Sequence, residues 1–171
     1  MKLWTIFRFE FGYQVRQVST WLYLAVLLVF TYVMNELTTP GDGVYTNNTF
    51  HITAITVIGA LIWLVMAASV AGEAAARDLT TRMHPLTYAS PVSKLSYLGG
   101  RFLAAFAINA LLVLSLPLSV LLWFYMPGTE QGGFGPFSII PYLNVYCLIA
   151  LPVFFLATAL QFSLAALTRQ A

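Results

Sequence analysis

The chain is short of charge. Only 8% of its 171 residues are Asp, Glu, Lys or Arg, against about 25% in an average soluble domain. So small a supply cannot coat a water-soluble globule, and a hydrophobic share of 60% excludes a disordered chain as well. There is a single cysteine, Cys147, which excludes an internal disulfide and any cysteine-based metal cluster. It sits in an apolar run and reads as a small buried hydrophobe. The net charge of +2 is too weak for a nucleic-acid partner. Alternating polar and apolar segments of about ten residues, the mark of a membrane barrel, are also missing. The apolar residues come in unbroken runs instead, so the expected fold is an all-α integral membrane protein.

Four charge-free runs approach or exceed the length of about 20 residues that crosses a bilayer. They cover about residues 18–35, 50–72, 102–126 and 138–168. The first, VSTWLYLAVLLVFTYVM, is short and borrows from its flanks. It exceeds a signal-peptide core, and the Asn35-Glu36-Leu37-Thr38 that follows offers no small-residue cleavage site, so it reads as a retained anchor. The fourth is longer than one upright span needs and must tilt, kink at Pro152 or project into water; Pro141 near its start is tolerated.

Charge placement sets the expected topology. Lys2, Arg8 and Arg16 precede the first span, Arg77, Arg82, Lys94 and Arg101 separate the second from the third, and Arg169 follows the fourth. The other two connectors carry only Glu36, Asp42 and Glu130. All eight basic residues thus fall on one side, which by the positive-inside rule puts both termini in the cytoplasm.

Ahead of the first span, residues 1–17 (MKLWTIFRFEFGYQVRQ) place Trp4, Phe7, Phe11 and Val15 at helical spacing, with Lys2, Arg8, Glu10 and Arg16 on other faces. This predicts an amphipathic helix lying in the membrane interface; the alternative is an early start of the first span.

The connector 73–100 holds most of the specific information. Glu73–Arg77 and Asp78–Arg82 are both i,i+4 pairs in the favourable acid-first order. They predict that the second span continues as a helix until Pro85 stops it at His84. Ser93 is placed to cap a second, short helix, which Gly99-Gly100 is expected to break before Arg101 opens the third span. Met83, Leu86, Tyr88 and Val92 lie among charges, a composition suited to docking a cytoplasmic protein. The alternative is an interfacial loop tucked against its own spans.

The stretch GEAAARDLTTRMHPLTYASPVSKLSYLGGRF (72–102) and the opening WTIFRFEFGYQVRQ (4–17) resemble type-2 ABC exporter permeases. The likeness is greatest to the bacterial subgroup whose long permeases can carry a zinc aminopeptidase domain. In that family the N-terminal segment is an interfacial connecting helix, and the loop after the second span is a coupling helix that fits a groove on the ATP-binding subunit. Carried over, the resemblance makes Glu73, Arg77 and Asp78 the lead-in, Met83, Pro85 and Leu86 the turn, and Ser90, Pro91 and Ser93 the second corner. Arg82, His84 and Tyr88 complete the coupling surface. Such permeases have six spans per half, so the resemblance implies the N-terminal piece of a longer permease, working with a second half or a second copy in a bacterial plasma membrane.

No catalytic constellation stands out, and no cofactor is implied. By the topology above His51 and His84 lie on opposite sides of about 30 Å of hydrocarbon, so they cannot share a metal. His51 reads as a solvated or headgroup-contacting residue and His84 as part of the loop corner. GTEQGGFG (128–135) lacks the Gly-Lys-Ser/Thr ending of a phosphate loop. None of the four runs contains an Asp, Glu, Lys or Arg, which disfavours a proton-driven transporter; energy for transport would come from an ATPase partner. Asn109, Asn144 and Gln161 mark a candidate substrate path, with interhelical hydrogen bonding as their other reading. Small residues from Ala67 to Ala76 permit close helix packing or a dimer face. Asn47-Asn48-Thr49 is a formal glycosylation sequon. The functional expectation is the membrane-spanning, non-enzymatic component of an ATP-driven exporter; the alternative is a four-span scaffold or assembly factor that transports nothing.

Overall fold

The computed structural model describes residues 2–38, 45, 47–80, 93–125 and 135–168. Every regular element among them is helical: α1 (Lys2–Val15), α2 (Val18–Leu37), α3 (Thr49–Thr80), α4 (Lys94–Phe124) and α5 (Ile140–Thr168). The last four are long and apolar enough to cross a membrane, the make-up of a multi-pass membrane protein. Of these, α4 is the most enclosed, with 56% of its most apolar stretch buried against 17% for α2.

The helix ends follow from local chemistry. The Arg16 and Gln17 amides bond back to Tyr13 and Gln14 at 3.1 Å, a tightened turn that closes α1. The Thr20 hydroxyl then donates to the Gln14 carbonyl at 2.6 Å. α1 is therefore a helix of its own and not an early start of α2. Asn48 caps α3, its Oδ1 accepting the His51 amide at 2.7 Å.

Ser93 caps α4 as its position predicts, its hydroxyl accepting the Ser96 amide at 3.3 Å. The helix it opens is not short, however. It continues through Gly99-Gly100 and Arg101 to Phe124, so the expected break is absent. The glycine serves close approach: a Cβ on Gly100 would stand 2.9 Å from both the Leu3 carbonyl oxygen and Ile6 Cγ2. Farther along, Pro117 sits inside α4, flanked by Ser115 and Ser119 hydroxyls that donate to the Leu112 and Leu116 carbonyls at 2.6 and 2.7 Å.

α5 stays helical from end to end but changes pitch. Val145–Ala150 is π-helical, with the Leu151 amide reaching five residues back to Tyr146. Pro152, which has no amide hydrogen to give, follows at once, and widened turns of this kind are a known accommodation in long helices.

The described chain divides into two compact units. The first comprises Met1–Thr20, Leu64–Asn109 and Phe154–Ala171. Its core joins Ala71, Ala74 and Ala105 to Phe162, with Ala75 and Phe102 against them, and Phe102 meets Phe155 and Phe162 edge-on at 5.7 and 5.8 Å. The small residues of α3 are thus used for packing inside the chain. The second unit comprises Trp21–Trp63 and Ala110–Val153. Ile52, Ile55, Val120, Tyr142 and Val145 form its core, with Met34 and Leu121 beside them.

Candidate functional site

The first unit encloses a charge cluster that straddles the connector. Glu10, one turn and a half before the end of α1, is 2% exposed. Its Oε1 accepts from Arg77 Nη2 at 2.6 Å and from Arg101 Nε at 2.9 Å. Arg77 lies in the last turn of α3, where a cation is favoured by the helix dipole, and Arg101 lies in the second turn of α4. One carboxylate oxygen therefore holds the helices on both sides of the connector. Burial makes the cluster expensive to break, since removing one partner strands a desolvated charge.

Aromatic rings and a second polar pair reinforce it. The Arg77 guanidinium lies over the rings of Tyr13 at 4.2 Å and Phe9 at 5.7 Å, and Arg101 lies over Tyr97 at 4.6 Å. The Gln17 side-chain amide, just beyond α1, donates to Glu73 on α3. Glu10 Oε2 and both polar side-chain atoms of Gln14 are buried with no hydrogen-bond partner. The arrangement ties α1 and Gln17 just beyond it to α3 and α4.

The structure rearranges the expected connector pairings. Glu73 and Arg77, an i,i+4 pair in sequence, do not bond each other; each turns to α1, Glu73 to Gln17 and Arg77 to Glu10. For Arg77 the long-range partner wins because the Glu10 carboxylate is desolvated, whereas an exposed i,i+4 pair is worth only about 0.3–0.5 kcal/mol. Asp78 continues the backbone of α3. Arg82, Met83, His84, Pro85, Leu86, Tyr88, Ser90 and Pro91 lie outside the described residues.

Of the three candidate path residues, Asn109 and Gln161 belong to the first unit and Asn144 to the second. Asn109 is fully buried and its Nδ2 donates to Thr158 Oγ1 at 2.9 Å. Gln161 Nε2 donates to the Leu64 carbonyl at 2.9 Å. Both amides keep an unpaired oxygen, Asn109 Oδ1 and Gln161 Oε1. Asn144, in the second unit, is exposed.

Two further readings change. His51 is buried, with Nε2 at 3.1 Å from Asn35 Oδ1, so it is neither solvated nor free to contact headgroups. Asn35 in turn donates to the Thr31 carbonyl at 2.8 Å, which satisfies a polar pair that hydropathy had placed outside. Cys147 is exposed, not buried. Asn47, the acceptor position of the sequon, is committed to Gly135, exchanging hydrogen bonds of 2.9 and 3.0 Å with its backbone. Among the described residues no group of three or more His, Cys, Asp and Glu side chains is placed to hold a metal ion.

Glu10 and Arg101 are the site residues that sequence reading missed. A signal was present: Glu10 is the one acid in residues 1–17, among Lys2, Arg8 and Arg16, and its helical spacing takes it off the aromatic stripe. Compared with protein families, with curated proteins and with solved structures, the chain matches none.

Proposed function

We propose that the chain is the membrane-spanning part of an ATP-driven exporter of the type-2 ABC class, in a bacterial plasma membrane with both termini cytoplasmic. In this reading α1 lies along the inner interface and the 73–100 connector meets a separate ATP-binding subunit. The observation that carries the reading is the shared Glu10 oxygen. A push on the connector reaches α3 through Arg77 and α4 through Arg101, and because both arginines end on one carboxylate the two helices respond together. The placement of all eight basic residues on one side supports the topology. The resemblance of residues 4–17 and 72–102 supports the class.

The test is affinity capture from membranes. The wild-type chain is expected to bring down an ATP-hydrolysing subunit, and the triple variant Asp78→Arg, Arg82→Asp, Met83→Asp is expected to lose it. Retention of the ATPase by the variant at wild-type level would refute docking through the connector. A non-ATPase partner captured by the wild type would replace the exporter with a scaffold.

A further inference from the structure

A groove of about 520 Å³ runs along α1, lined by Thr5, Arg8, Phe9, Gly12, Tyr13 and Arg16 among others. Two observations set it apart from an ordinary surface. Gly12 forms part of it, and a Cβ built there meets nothing within 4 Å. Glycine inside a helix is unfavourable relative to alanine, so this one is not explained by packing within the chain. The groove is also one-sided in charge. Arg8 and Arg16 are both exposed, and neither makes an ion pair among the described residues. The acid of the helix, Glu10, is turned away to Arg77 and Arg101.

From these we infer that the groove binds the phosphodiester headgroup of an anionic phospholipid, with Arg8 and Arg16 on the phosphate and the lipid body in the space left open at Gly12. Eight residues of helix separate the two arginines by about 12 Å, close enough for two long side chains to converge on one headgroup. Exposed Trp4, Phe9 and Tyr13 give the helix the aromatic surface that membrane interfaces favour. α2, the first helix able to span, begins at Val18, two residues after Arg16, so Arg16 stands near headgroup depth. The inference rests on the interfacial placing of α1 in the reading above and is independent of ATPase docking.

The experiment counts lipid retained by the full chain. Protein is reconstituted in nanodiscs of phosphatidylcholine with a minor share of phosphatidylglycerol, extracted into mild detergent and weighed by native mass spectrometry. Wild type is expected to keep one phosphatidylglycerol in preference to phosphatidylcholine. Arg8→Gln with Arg16→Gln should weaken that retention by roughly thirtyfold. Gly12→Leu, which keeps both charges and fills the groove, should abolish it, with circular dichroism verifying helix content for each variant. Retention in the Gly12→Leu variant would mean diffuse attraction to a basic helix and would overturn the site. Retention in the arginine double variant would overturn the headgroup assignment, and displacement of the lipid by millimolar inorganic phosphate would make it a free-phosphate site instead. A fluorophore at Trp4→Cys, outside the groove lining, in a Cys147→Ser background and quenched by brominated phosphatidylcholine, reports separately whether α1 lies on the bilayer. No quenching would overturn the interfacial placing, and quenching without lipid retention would overturn the site alone.

Discussion

Glu10 Oε1 and Arg77 Nη2, 67 positions apart in the chain, meet at 2.6 Å. With Arg101 on the same oxygen, the pair converts α1 from a surface helix into a clasp over the helices that flank the connector. Its strength comes from burial: the Arg101 and Glu10 side chains are each 3% exposed and Arg77 13%.

Replacing Glu10 by Gln leaves two guanidinium groups without their anion. The expected cost is about 3–5 kcal/mol, read as an early transition in SDS-induced unfolding followed by circular dichroism in micelles. Because the pair is enclosed, the difference from wild type should change little between low and moderate salt. A loss under about 1 kcal/mol, or one that disappears with salt, would assign the contact to a screened surface pair.

Two glycines of the α1 neighbourhood are expected to respond in opposite directions. Gly100→Ala places a Cβ 2.9 Å from the Leu3 carbonyl oxygen, backbone that cannot rotate away, and should destabilise by about 1–3 kcal/mol. Gly12→Ala meets nothing and should stabilise by about 0.5–1 kcal/mol through helix propensity. Equal effects at the two positions in the same unfolding assay would contradict the packing of α1 on α4.

The Asn109–Thr158 bond joins α4 to α5 inside the first unit. A double-mutant cycle with Asn109→Ala and Thr158→Val should return a coupling near 0.6 kcal/mol, the average for hydrogen bonds between membrane helices. Zero coupling would show that the two side chains do not hold each other in the folded protein.

The spans were legible because hydropathy follows lipid exposure, which is a local property. α2 and α5 began and ended within a few residues of the apolar runs. α3 and α4 overran theirs, since Glu73, Arg77, Lys94 and Arg101 interrupt an apolar run without interrupting a helix. Gly99-Gly100 misled for a related reason. Glycine marks either a break or a close approach, and only the position of Leu3 and Ile6 tells which. The existence of α1 was readable from its period, but not its orientation. Trp4, Phe7 and Phe11 stack on one another along the helix, while Glu10 and Gln14 face inward. Burial of a carboxylate is decided by arginines 67 and 91 residues away, and no window along α1 contains them. The same non-locality hid His51, whose partner Asn35 belongs to another helix.

Pinning Arg77 and Arg101 to one oxygen has a consequence for chain length. Between the end of α3 at Thr80 and the Ser93 cap of α4 lie 12 residues, and the clasp already holds the two helices that this segment joins. The entropy of closing a loop grows only with the logarithm of its length, about 0.6 kcal/mol for each doubling. Insertions or deletions within that segment therefore change folding stability little while the clasp holds. Its length and sequence can drift to suit whatever surface it meets, leaving the helices that carry it where they are.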